Sequence, residues 1–298
     1  MRILVASDGS PYAREAALFA SCIAKPASAD IVLLGVVEQH HTEDDLRRVL
    51  EALREEIAQG SEIQCEIVIR HGDVTDQILA EVQEHFYHMV AIGVRGLSKR
   101  RRRLMGKTSI RLTQEITAPL LVVTLGRHMI RRVLICTSGE KPGEADAFVG
   151  GALAALVGAQ VTVLHVMSQL PLAPKAPIDD LEHDAPDLIQ SGTREGQHLQ
   201  RLLSILASWG IDQEQLNAKV RHGLVVDEVI AEVREGDYDL VVIGAHQIPA
   251  DQPWAKLRTV LQENIAEDIL KHTRRPVLVV RALDERKWKI SQPESASE

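Results

Sequence analysis

The chain has 298 residues, 45% of them hydrophobic and 26% charged, with a formal net charge of −8. That length suits two domains of ordinary size, each able to bury an apolar core. Net acidity argues against dedicated nucleic-acid binding, and 3% aromatic residues leaves few rings for base stacking.

The first apolar run, Ile3 to Ala6, is closed by Ser7-Asp8-Gly9-Ser10. A short apolar run bounded by turn residues predicts a buried parallel strand. An Ala-rich helix follows over Pro11 to Ala24, with Pro11 in its first turn. Ile31 to Val37 (IVLLGVV) is a second buried strand. Thr42 to Gln59 is an amphipathic helix with Leu46, Val49, Leu50 and Leu53 on one face. Ile63 to Arg70 alternates and predicts a third strand, Val74 to Phe86 a helix, and Met89 to Gly93 a fourth strand. Ser109 to Ile116 is helical and Pro119 to Thr124 is the fifth strand. Alternating strand and helix predicts a parallel sheet covered on both faces and wound with right-handed crossovers.

The pattern then restarts. Arg131 to Cys136 echoes Arg2 to Ala6, and Arg221-His222-Gly223 repeats Arg70-His71-Gly72. Asp227 matches Asp76, and Gly244 matches Gly93, all at one spacing along the chain. Pro276 to Val280 repeats Pro119 to Val123. A repeat of this length is a duplicated domain. The expected division is 1–127 and 128–284, with a polar, frayed tail at 285–298. Residues 168–192, with Pro171, Pro174, Pro177 and Pro186, predict an extended loop.

Ligands of open parallel sheets bind beyond the carboxyl ends of the strands. Asp8 falls there, and so does the stretch GVRGLSKRRRRLMGKT, residues 93 to 108. Its glycines allow close backbone approach. Its end opens a helix, where free amides favour an anion. The Lys107 ammonium and the Thr108 and Ser109 hydroxyls could face such an anion.

With these residues in place the first half resembles a universal stress protein domain, and the whole chain resembles a tandem of two. Gly93, Gly96 and Gly106 keep the family spacing G-x2-G-x9-G. Asp8 matches an acidic residue ending the first strand. Gly72, Asp73 and Asp76 match a turn into a helix. The resemblance implies two Rossmann-like α/β domains, each an open parallel five-stranded sheet with helices on both faces. They would pair through their last strands, and homodimers are possible. It implies an adenine nucleotide such as ATP, with Mg as a possible companion. Asp8 would lie near the nucleoside, Val36 and Val37 at the adenine edge, and Gly93, Gly96 and Gly106 around ribose and phosphates. Arg95 would reach a phosphate. A stress-response or regulatory role follows.

Lys107 departs from the Ser or Thr that the family places after the third glycine. The second half departs further: Ser138 stands where Asp8 does, and Glu263 stands where Gly106 does. It is not expected to bind ATP in the family manner. The basic run Lys99, Arg100, Arg101, Arg102 and Arg103 has three readings: a solvated loop, a phosphate contact, or a docking patch for an acidic partner or a membrane surface. In the last case the protein regulates a transporter or enzyme without nucleotide. Asp8 has a second reading, in which it simply bonds backbone amides at the strand end. His71 and His222 predict structural turns rather than metal ligands, and His40-His41 lacks helical ligand spacing. Cys22, Cys65 and Cys136 form neither a disulfide framework nor a metal motif. No catalytic constellation is legible, so at most a slow ATPase is expected. No apolar run reaches the roughly 18 residues of a membrane helix, and a cytoplasmic location is expected.

Overall fold

The computed structural model describes residues 1–38, 42–59, 62–95, 106–126, 128–137, 143–168, 184–245, 265–281 and Trp288. The strands of the first half are β1 (Arg2–Ala6), β2 (Asp30–Val37), β3 (Cys65–His71), β4 (Met89–Gly93) and β5 (Leu120–Val123). Those of the second are β6 (Arg132–Thr137), β7 (Gln160–Ser168), β8 (Leu216–Gly223), β9 (Leu240–Gly244) and β10 (Val277–Val280). Together they build one ten-stranded sheet in the order β3-β2-β1-β4-β5-β10-β9-β6-β7-β8. All pairings within a half are parallel. The halves join where β10 runs antiparallel to β5, with Leu278 opposite Leu121. The expected pairing of last strands is thus made within one chain.

Helices cover both faces, as continuous strand burial requires. On one face α1 (Pro11–Ala24), α2 (Glu43–Ala58), α5 (Gly143–Val157) and α7 (Arg194–Ser208) enclose a core of Val5, Phe19, Leu33, Leu50, Val163 and Leu202. On the other, α3 (Val74–Glu84), α4 (Lys107–Glu115), α8 (Val225–Glu235) and α9 (residues 265–272) cover Leu4, Val90, Leu134 and Val241. Side-chain caps fix several helix starts: Ser10 for α1, Thr42 for α2, Asp73 for α3 and Thr193 for α7.

Three expectations need correction. Residues within the supposed loop 168–192 form α6 (Ala185–Ser191), capped by Asp184, with Pro186 in its first turn and left-handed Gly192 ending it. The pattern Asp-Ala-Pro is a helix start that the neighbouring prolines disguised. The tail is not wholly polar and free: Trp288 is 1% exposed, donates from Nε1 to the His88 carbonyl at 2.7 Å and packs on Phe148. A large apolar ring gains more by burial than it loses in chain freedom. Val49, placed on the buried face of α2, is 41% exposed.

Candidate functional site

Strand order places β1 between β2 and β4, with α1 and α2 on one face of the sheet and α3 and α4 on the other. The direction of winding reverses at β1/β4, and open parallel sheets bind ligands beyond the carboxyl ends of the strands at such a point. Asp8 lies there, in the turn between β1 and α1, and accepts from the Ser10 amide through Oδ1 at 2.9 Å. That is one of the backbone contacts its simplest reading foresees. Ser10 is buried, caps α1 and donates from Oγ to the Arg95 carbonyl at 3.4 Å. It ties the β1 turn to the turn after β4. The pair Ser10-Pro11 signals the cap in sequence, but the reach to Arg95 depends on tertiary packing.

Val36 and Val37 end β2 and are half-buried on opposite faces of the sheet. The Val37 carbonyl is engaged by the Gly72 amide at 3.2 Å. Arg95 is half-buried in the turn beyond β4. Val49 projects from α2 against Gly9 in the turn after β1, although helical periodicity assigned it to the core.

The glycines separate into distinct roles. A Cβ on Gly93 would lie 2.6 Å from the Tyr12 carbonyl carbon and 2.8 Å from the Ala13 nitrogen. Gly93 is therefore required by the close approach of α1, whatever binds nearby. Gly106 is different. Its φ is −74°, open to any residue, and a Cβ there would meet nothing closer than 3.6 Å. It is the N-cap of α4 without any side-chain cap, and its amide bonds the Val94 carbonyl at 2.9 Å. Gly96 and the basic residues Lys99 to Arg103 lie outside the described residues.

At the start of α4, Lys107 is exposed, Thr108 half-buried and Ser109 buried. Ser109 does not face an anion as expected. Its Oγ lies 3.3 Å from both the Gly93 and Val94 carbonyls and locks α4 to the end of β4. The first turn of α4 carries no acid, whereas α2 starts with Glu43, Asp44 and Asp45, and α8 with Asp227 and Glu228. A cation at the positive end of a helix is mildly unfavourable, and an anion there would offset both charges. The neighbouring acids Asp73 and Asp76 bind Arg111 at 3.5 and 2.8 Å, joining α3 to α4. They hold the scaffold.

The arginines of the two Arg-His-Gly turns are structural. Arg70 bonds buried Glu81 at 2.7 Å and also Glu84; Tyr87 donates to Glu81 at 2.6 Å. Arg221, Glu232, Glu235 and Tyr238 repeat this set, with Lys219 added at 2.7 Å. His71 meets Glu43 at 3.2 Å. In the second half, Ser138 and Glu263 lie outside the described residues. Among the described residues no helix is long and apolar enough to cross a membrane.

The doubled β3-β2-β1-β4-β5 topology, with a glycine-opened helix beyond β4, defines a tandem Rossmann-like protein. The sequence model of the Universal stress protein family matches residues 1–124 and again 129–281, and the chain belongs to that family. The universal stress protein YxiE of Bacillus subtilis (strain 168) is 26% identical over 145 residues, covering 41% of this chain and 97% of YxiE. A universal stress protein from Archaeoglobus fulgidus DSM 4304 superposes with a TM-score of 0.66 at 16% identity, covering 94% of this chain and 98% of that one. A putative universal stress protein from Pseudomonas aeruginosa UCBPP-PA14 gives 0.63 at 19% identity, covering 94% and 92%. The two solved structures speak for the fold.

Proposed function

We propose that the first half binds an adenine nucleotide, ATP or a close relative, in the crevice between β1 and β4, as part of a stress-response or regulatory role. The observation that carries this reading is Gly106. Neither backbone angle nor packing requires a glycine at the N-cap of α4, and with no side-chain cap there the first amides of the helix remain for an anion. The α4 amides, exposed Lys107 and half-buried Arg95 supply the cationic surroundings that phosphates need. Asp8 and the ends of Val36 and Val37 lie beside the same opening, with Val49 against Gly9 in the turn after β1. Magnesium would arrive with the phosphates; Asp8 is the carboxylate that the end of β1 brings to the crevice. In this reading the chain binds and positions the nucleotide.

Isothermal titration of the full chain with ATP tests this. One site per chain is expected. Gly106→Asp is the informative variant. Aspartate is among the best N-caps, so α4 keeps or gains stability while a carboxylate occupies the phosphate position. Affinity is expected to fall at least about tenfold with an unchanged or raised melting temperature. An absence of heat with the unaltered chain at high micromolar ATP sinks the reading. Two equivalent sites would contradict the expected loss in the second half.

A further inference from the structure

Where the first half packs α2 on β2 through apolar side chains, the second half places buried imidazoles between α7 and the sheet. Strand register makes the comparison exact in position: Ile3 pairs Ile31 in the first half and Val133 pairs Val161 in the second. Thr137 thus takes the place of Ser7, and His165 that of Gly35. In the first half a Cβ at Gly35 would sit 2.8 Å from Leu46 and Leu50 of α2. In the second half α7 brings His198 instead. His165 is 6% and His198 2% exposed. Both close on one residue: His198 Nε2 lies 2.7 Å from Thr137 Oγ1, and His165 Nδ1 lies 3.3 Å from the Thr137 carbonyl. His222 on β8 stands close by, with its Nδ1 buried and without a hydrogen-bond partner.

The charged surroundings are sparse. Glu195 of α7 favours a charged His165, whereas His222 opposes it. His165 and Arg201 of α7 oppose a charged His198. On α5, Glu144 pairs with Arg201 at 3.8 Å, and buried Asp146 is coupled to Cys136 of β6. No carboxylate hydrogen-bonds either buried imidazole among the described residues.

We propose that the Thr137, His165, His198 and His222 cluster is a proton-responsive latch, which on acidification releases α7 from the carboxyl ends of β6, β7 and β8 while the first half stays closed. Burial, with His165 and Arg201 adding to it, lowers His198 from the ordinary 6.5 to about 4. Burial also lowers His165, and His222 adds to that. A depressed imidazole binds its proton more readily in the unfolded or open state. The stability it contributes is therefore full above pH 6.5 and is lost as pH falls towards about 4. Three imidazoles are also a ligand set for a zinc-class ion. Their ligand atoms do not approach one another as closely as those of Glu81, Glu84 and His85, whose mutual distances are within 4.8 Å. The proton is the ligand that this spacing favours.

Amide hydrogen exchange of the full chain at about pH 7.5 and about pH 5, corrected for intrinsic rates, is the test. Protection in α7 is expected to drop about tenfold more than in α1 to α4. His165→Gln combined with His198→Gln keeps hydrogen bonding to Thr137 but cannot titrate, and is expected to abolish the difference. Equal loss in both halves, or an unchanged acid response in the double variant, overturns the proposal. So does a zinc-induced rise in melting temperature that requires His198, since it would make the cluster a metal site. If the variant fails to fold, an NMR titration of the unaltered protein decides: a His198 imidazole that titrates near its ordinary pKa also overturns it.

Discussion

Gly93 and Gly106 share a residue type for different physical reasons. Gly93 faces backbone atoms of Tyr12 and Ala13 that have no rotamer by which to withdraw. Gly93→Ala is therefore expected to destabilise the protein by about 1–3 kcal/mol, measured by urea unfolding, with or without nucleotide. Gly106→Ala meets only ordinary contacts at an allowed φ. Alanine is a poorer N-cap than glycine, which opposes the gain from a less flexible unfolded chain, so stability should change by less than about 1 kcal/mol. A large loss in the second variant would mean that Gly106 is structural and would remove the main support for the nucleotide site. Sequence spacing located both glycines but could not separate these roles, because a clash with α1 is created by a helix packed from elsewhere in the chain. The same limit applies to Ser109. Its position at a helix start was legible, but the direction of its hydroxyl was not.

The elements carry a second kind of hidden information. Alternation and apolar runs made the strands and the duplication legible, because burial on both faces leaves a strong trace. Glu81 left no such trace. On a charged helix it reads as solvated, yet it is 2% exposed and joins α3 to β3 through Arg70 and to the β4 approach through Tyr87. Its partner lies on a neighbouring strand, where helical periodicity cannot point. The repetition as Arg221, Glu232 and Tyr238 was nevertheless present in the sequence and could have flagged the network. Removing one partner of a buried ion pair strands the other charge. Arg70→Met is expected to cost about 3 kcal/mol in urea unfolding. Arg221→Met should cost less, because Lys219 still holds Glu232 at 2.7 Å. Equal costs would show that Lys219 compensates no more than His85, which lies 2.9 Å from Glu81.

At the scale of the molecule, the two halves form a single sheet rather than two domains on a tether. Leu278 and Leu121 face each other across the β5/β10 seam, and both are fully buried. Other links cross between the halves. Thr124 donates to the Arg274 carbonyl at 2.8 Å, Arg281 donates to the Thr113 carbonyl, and Trp288 reaches His88. Opening the seam would expose two strand edges at once. At neutral pH, where the histidine latch is closed, the chain should therefore unfold as one cooperative unit despite its internal repeat. Two probes can distinguish the alternatives. Trp209, Trp254 and Trp288 all lie in the later part of the chain and Trp288 touches His88, so tryptophan fluorescence follows that part and its contact with the first half, while far-UV circular dichroism follows both halves. Their urea transitions should coincide. Leu278→Ala, which leaves a cavity at the seam, should move both midpoints together by the equivalent of about 2–5 kcal/mol. A fluorescence transition that shifts alone, leaving a separate dichroism step behind, would show that the first half is stable without the seam. Nucleotide binding would then stabilise only that half. With an intact seam, ligand in the β1/β4 crevice should instead raise the midpoint reported by tryptophan fluorescence as well.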